Sequence, residues 1–205
     1  MSDTETGRFS VQDYYDLAFE ASRSIARVKV IPGLDDTLTP VPGHITVVIA
    51  PYSEEDKPLV SAVLKKQVKD YIRERAGNLV TVHVIDPAYI KVNLHVELTT
   101  DRMDSIPVVS SEAMGRIKEF LHPIRGGEEG RGWDFGRAPC LSDLYALLHQ
   151  IEGVLYIESI RMVLEADGRT YTIYGDTTGY RLPGYSLIYP GDVDIKVNLE
   201  SEATV

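Results

Sequence analysis

The chain has 205 residues, 43% hydrophobic and 25% charged, with 21 basic residues against 31 acidic ones and a net charge of −10. That composition suits an ordinary globular protein long enough to bury a core, and its acidity argues against nonspecific binding to nucleic acid or anionic membranes. The single cysteine excludes an intrachain disulfide framework, and neither a signal-peptide core nor a bilayer-length apolar run is present, which predicts a protein made in the cytoplasm without membrane insertion.

Val11, Tyr14 or Tyr15, Ala18 and Phe19 recur at helical spacing, which predicts an amphipathic helix over 11–22. A strand follows over 27–31. PGLDDTLTPVPG (32–43) is punctuated by three prolines and two glycines and predicts a loop or linker. ITVVIAP (45–51) is a compact strand. Ser53 and Asp56 have capping-box spacing, and Pro58 fits a first turn. They predict a helix running to about Ala76, with Val60, Leu64, Val68, Tyr71 and Ile72 inward and Gly77-Asn78 ending it.

Residues 79–100 are strand-rich, with Pro87 as a break or bulge. There Val92, Leu94, Val96 and Leu98 alternate with Lys91, Asn93, His95 and Glu97, the pattern of a half-buried strand. After a loop over 101–110, a helix is predicted over 111–121, with Met114, Ile117, Phe120 and Leu121 inward. Another is predicted from Ser142, a good N-cap, to Gln150. Residues 154–166 read as a strand. YTIY, the turn GDTTG and DVDIKVNLE suggest two or three antiparallel strands. The fold class is α+β: small mixed α/β domains with antiparallel sheets and a β-rich C-terminal tail. The expected segments are 1–43, 44–100, 101–166 and 167–205.

GGEEGRGWDFGR (126–137) is the most unusual stretch. Glycine-rich loops often hold phosphates, but no Lys-Ser or Lys-Thr follows these glycines, and the spacing misses GxGxxG. The segment also lies between two helices. It reads better as a built connector, in which Gly126, Gly127, Gly130, Gly132 and Gly136 allow the turns and Trp133 and Phe135 anchor it in apolar surface.

Other candidates for chemistry are weak. His44, His83, His95, His122 and His149 share no ligand spacing and read as surface or partly buried structural residues. Cys140 precedes a helix N-terminus, but His149 falls at that helix's far end, so the two do not pair; Cys140 reads as a small buried residue. Asp35-Asp36, Glu54-Glu55-Asp56, Glu128-Glu129, Asp192 and Asp194 sit mostly in turn or capping contexts. Tyr171, Tyr174, Tyr180, Tyr185 and Tyr189 suit either a protein interface or a half-exposed sheet face. No catalytic residue, metal ligand or cofactor site is assigned.

Taken in order, DYYDLAFEAS…IARVKV, VIDPAYIKVNLHVEL and FLHPIRGGEEGRGWDFGR…IEGVLYIESI are similar to the baseplate J-like family of contractile phage tails and contractile injection systems. The resemblance covers roughly residues 8–165 and corresponds to the C-terminal portion of such proteins. It implies a structural baseplate wedge component without catalysis, working through protein–protein assembly. It implies as partners other wedge proteins, further copies of the chain, and the central hub or sheath-end proteins. The resemblance also implies incorporation into the baseplate of a tail or injection particle. Pro/Gly segment 32–43 and loop 101–110 would be its joints. The alternatives are a stand-alone binding or regulatory module with a small ligand under the glycine loop, and an acid-pair hydrolase.

Overall fold

A computed structural model of the chain describes residues 9–77, 79–166, 169–173 and 182–200. The chain divides into two compact units, the first ending at Pro87 and the second beginning at Ala88.

The first unit contains α1 (Val11–Ala21), β1 (Ile25–Leu34), β2 (Pro40–Pro51), α2 (Ala62–Ala76) and β3 (Thr81–Ile85). Its sheet has the order β1-β2-β3, with β1 antiparallel and β3 parallel to β2. The parallel pair needs a crossover, and α2 supplies it. Ile45, Val47 and Ile49 project from β2 onto a core shared with Val28, Val30, Val82, Val68, Ile72 and Ala18. A capping box starts α1: the Ser10 hydroxyl accepts the Asp13 N–H at 3.2 Å, and the Asp13 carboxylate accepts the Ser10 N–H. Its buried stripe is Tyr14, Ala18 and Ala21, whereas Val11 is exposed.

The expected linker 32–43 is instead part of a hairpin. β1 runs through Pro32 and Gly33 to Leu34, and β2 already begins at Pro40. Gly33, at φ 78°, accommodates a register shift between Pro32 and Leu34. Thr46 is fully buried, and its hydroxyl donates to the carbonyls of Leu34 (2.8 Å) and Asp35 (2.9 Å). These bonds tie the turn to the sheet, so the segment is not a joint. Nor does a domain boundary fall at 43–44, because β2 pairs with β1 across it.

The Asp35 carboxylate holds the turn. It accepts the Thr37 N–H (2.9 Å), the Thr37 hydroxyl (2.7 Å) and the Thr39 N–H (3.0 Å). Its pKa is lowered, first by the Thr37 hydroxyl and then by the Thr39 N–H. A depressed carboxyl pKa stabilises the fold above the unfolded-state value and stops doing so as pH falls through the folded value. The stability gap between the parent chain and Asp35→Ala should therefore be constant near neutral pH. In urea titrations it should narrow as pH drops below the ordinary aspartate range.

The second helix also begins later than its sequence suggests. Ser53 closes a local turn, its hydroxyl accepting the Glu55 N–H at 3.0 Å. The N-cap is Ser61, whose hydroxyl accepts the Leu64 N–H at 3.1 Å. Asp86 fixes the entry: it accepts the Val60 N–H at 2.8 Å and pairs with Lys65. Such long-range anchoring is invisible to local spacing. Ser61→Ala should cost about 1 kcal/mol in thermal unfolding, whereas Ser53→Ala should leave α2 in place.

The second unit contains β4 (Ala88–Thr100), a 3₁₀ turn (Met103–Ser105), α3 (Ile106–Leu121), α4 (Leu141–His149), β5 (Tyr156–Ala166), β6 (Arg169–Ile173) and β7 (Ser186–Leu199). The sheet order is β6-β5-β4-β7. β5 is antiparallel to β4, β6 is antiparallel to β5, and β7 is parallel to β4. Each unit thus mixes helices with a mixed sheet, the α+β class the sequence predicts. The tail departs from an all-antiparallel reading because β7 pairs in parallel with β4, on the opposite edge of the sheet from β6. The GDTTG turn, Tyr174 and Tyr180 lie outside the described residues.

On one face of β4, Ile90, Val92, Leu94, Val96 and Leu98 are buried against Val109, Ile117 and Leu121 of α3 and Leu144 and Leu148 of α4. The other face is polar and cross-linked. Lys91 pairs with Asp192 (2.6 Å), Asn93 with Glu165 (2.7 Å) and His95 with Asp194 (2.7 Å). The expected joint 101–110 is mostly ordered structure: a 3₁₀ turn leads into α3, and Val109 is buried. The 100–101 and 166–167 boundaries do not divide the unit either, because β4, β5, β6 and β7 form one sheet. Among the described residues, no helix is long and apolar enough to cross a membrane.

Candidate functional site at the glycine-rich loop

Helix α3 ends at Leu121 and leaves carbonyl groups to be satisfied. The glycine-rich segment does this by folding back over the helix end. Gly126 N–H donates to the His122 carbonyl (2.9 Å) and Gly127 N–H to the Phe120 carbonyl (2.8 Å). The loop then closes on itself and on its base. Gly132 N–H donates to the Gly126 carbonyl (2.8 Å) and Trp133 N–H to the Pro123 carbonyl (2.9 Å). At the far side, Gly136 N–H donates to the Ser186 carbonyl of β7 at 2.9 Å.

The glycines answer two different demands. Gly127, Gly130, Gly132 and Gly136 have φ between 66° and 82°, the left-handed region. Gly126 meets a packing limit instead: a Cβ there would lie 2.1 Å from the Phe120 carbonyl oxygen and 2.5 Å from that of His122.

Trp133 is 4% exposed. Its indole N–H donates to the Phe120 carbonyl at 2.8 Å, and its ring meets the Phe120 ring edge-on at 5.3 Å. Phe135 is only half-buried and lies outside the core cluster. His122 is buried, and its Nδ1 accepts the N–H groups of Ile124 (3.2 Å) and Arg125 (3.4 Å). This corrects the expectation of a surface or partly buried histidine; its position just after a helix and before Pro123 is the signal for a capping role.

Beside the loop is an open hollow of about 440 Å³, lined in part by Arg116, Glu119, Phe120, Arg125, Gly126 and Gly127. Its two arginines meet carboxylates: Arg125 Nε donates to both Glu119 oxygens (2.9 and 3.0 Å), and Arg116 pairs with Glu112 (2.7 Å). The N–H groups of Gly126, Gly127 and Gly132 point at protein carbonyls, so they do not form a phosphate cradle.

The other candidates lie apart from this loop. Cys140 is exposed, not buried: it is the N-cap of α4, two residues ahead of the expected Ser142, and its N–H donates to Asp143 at 3.2 Å. His149 ends the same helix. The parallel register of β2 and β3 stacks His44 on His83, with Nδ1 of the former 3.0 Å from Nε2 of the latter. No sequence spacing announces this pair, because strand register creates it. His95 is flanked by Asp194 at 2.7 Å and Glu97 at 3.7 Å. Asp192 and Asp194 are engaged with β4, and Glu129 pairs with Arg131. Tyr189 meets Tyr89 edge-on at 5.9 Å. Among the described residues, no group of three His, Cys, Asp or Glu side chains is set to hold a metal.

No family model matches the chain, and no curated protein matches it. Among solved structures, the chain is similar to a chain in the cryo-EM structure of the anti-feeding prophage (AFP) baseplate, 6-fold symmetrised. The TM-score is 0.56 at 16% sequence identity, over 89% of this chain. This chain spans 37% of the length of that one. The likeness establishes a shared fold.

Proposed function

We propose that the chain is a structural component of the baseplate of a contractile tail or contractile injection system, at the level of a wedge protein, and that it acts by protein–protein assembly. The observation that carries this reading is the common fold with an AFP baseplate chain over 89% of the length. The ordered stretches ending in GGEEGRGWDFGR add support through their similarity to the baseplate J-like family. A loop whose N–H groups are spent inside the protein, as at Gly126 and Gly127, suits a rigid assembly part. Its partners are other baseplate proteins and further copies of itself, and its destination is the assembled particle.

Sedimented contractile particles from producing cells, probed with an antibody to this chain, should contain it at a fixed ratio to the other baseplate proteins. Intact particles that lack it, with the chain left in the supernatant, would overturn the reading. The hollow beside the loop favours a second reading, a small-ligand module. Titration calorimetry with nucleoside triphosphates tests that alternative, and the assembly reading expects no stoichiometric heat.

A further inference from the structure

Strand β7 forms one edge of the second sheet, and among the described strands its 14 residues pair only with β4. Its first half is protected as exposed edges usually are. The Ser186 carbonyl is taken by Gly136. Pro190 cannot donate a hydrogen bond, and the register shifts beside Gly191. From Val193, just past that shift, to Leu199 there is no proline, glycine or bulge, and no described segment pairs with the outer side. Along this half, exposed Asp192, Asp194 and Lys196 alternate with Val193, Ile195 and Val197, which rest only partly covered on the core. An open row of main-chain groups with half-covered apolar side chains is an incomplete sheet.

The sequence of that half, DVDIKVN, is complementary to its own reverse. In an antiparallel pair of two copies centred on Ile195, Asp194 of each copy faces Lys196 of the other. Asp192 faces Asn198, Val193 faces Val197, and Ile195 faces Ile195. Apolar residues meet on one sheet face and polar residues on the other. Sliding by two residues puts Asp194 opposite Asp194 or Lys196 opposite Lys196. Sliding by one sets apolar residues against polar ones. Only the centred register avoids both faults. Asp194 and Lys196 touch His95 and Glu97 of their own chain, but their side chains are 75% and 59% exposed, so each keeps a free side for a partner.

We infer that the Asp192–Asn198 edge of β7 is a self-association surface that takes the same edge of a second copy in antiparallel register, joining two four-stranded sheets into one. This deepens the assembly reading by naming a surface for the copies, yet it stands on the strand itself.

The test uses the full chain. At high micromolar concentration, light scattering should report twice the 22.8 kDa chain mass. Lys196→Asp sets carboxylate against carboxylate twice per dimer and should weaken the dimer roughly tenfold. In a Cys140→Ser background, Ile195→Cys should form a covalent dimer on mild oxidation. Val193→Cys alone should not, whereas an equimolar mixture of Val193→Cys and Val197→Cys should. Unchanged melting curves would show that the variants fold. A monomer at every concentration, or equal self-coupling at Val193 and Ile195, overturns the inference. So does exclusive coupling of Ile195→Cys to a different protein of the particle, which would give the edge to another subunit. A dimer from a chain that never enters a particle would keep this inference and sink the proposed function.

Discussion

Gly126→Ala should destabilise the second unit by about 3 kcal/mol or more, although it adds one methyl group. The added carbon would sit 2.1 Å from the Phe120 carbonyl oxygen, 2.5 Å from that of His122 and 2.8 Å from that of Glu119. All three obstacles are backbone at the end of α3, so no side chain can swing aside. Relief requires lifting the loop, which breaks the bonds from Gly126 and Gly127 and strands buried carbonyls. Gly115→Ala is the matching control. Gly115 lies inside α3, nothing stands within 4 Å of its added carbon, and the change should stabilise by about 0.5–1 kcal/mol. Urea unfolding of both variants measures the contrast. A Gly126→Ala protein as stable as its parent would mean that the loop does not sit against the helix end as described.

Trp133→Ala should cost about 3–5 kcal/mol, the range for truncating a buried aromatic residue. The indole fills the space beneath the loop and supplies one of the two N–H groups that reach the Phe120 carbonyl. Trp133→Phe keeps much of the ring and loses the donor, so about 1 kcal/mol of the loss should come from the hydrogen bond alone. Thermal unfolding followed by far-UV circular dichroism separates the two, because both variants lack the chain's one tryptophan and with it the tryptophan near-UV signal. If Trp133→Ala melted with the parent while losing a bound small molecule, the loop would be a ligand site and not an anchor. Phe135→Ala should have a much smaller effect, since that ring is only half-buried.

Where side-chain periodicity carries the information, the sequence was legible. Val92, Leu94, Val96 and Leu98 predict the inner face of β4, and all four are buried. Ile117, Phe120 and Leu121 likewise predict the inner face of α3. Local signals failed where distant contacts decide. The Pro/Gly run at 32–43 looks like a linker until Thr46 is seen holding its turn, and Ser53 looks like a cap until Asp86 is seen setting the helix entry. The parallel docking of β7 on β4 and the His44–His83 stack depend on register between strands far apart in the chain, which no window of neighbouring residues contains.

The position of β7 also bears on how the second unit comes to fold. Asn93 and Asp192 are joined across the β4–β7 pair although they lie 99 residues apart. Contacts of such separation form slowly, because a long loop must close before they reward it. During synthesis β7 emerges long after β4, so one edge of that central strand stays open while the residues between them are made. That interval is the unit's exposure to aggregation. Loss of the last few strand residues should therefore damage soluble yield far more than the small number of deleted atoms suggests.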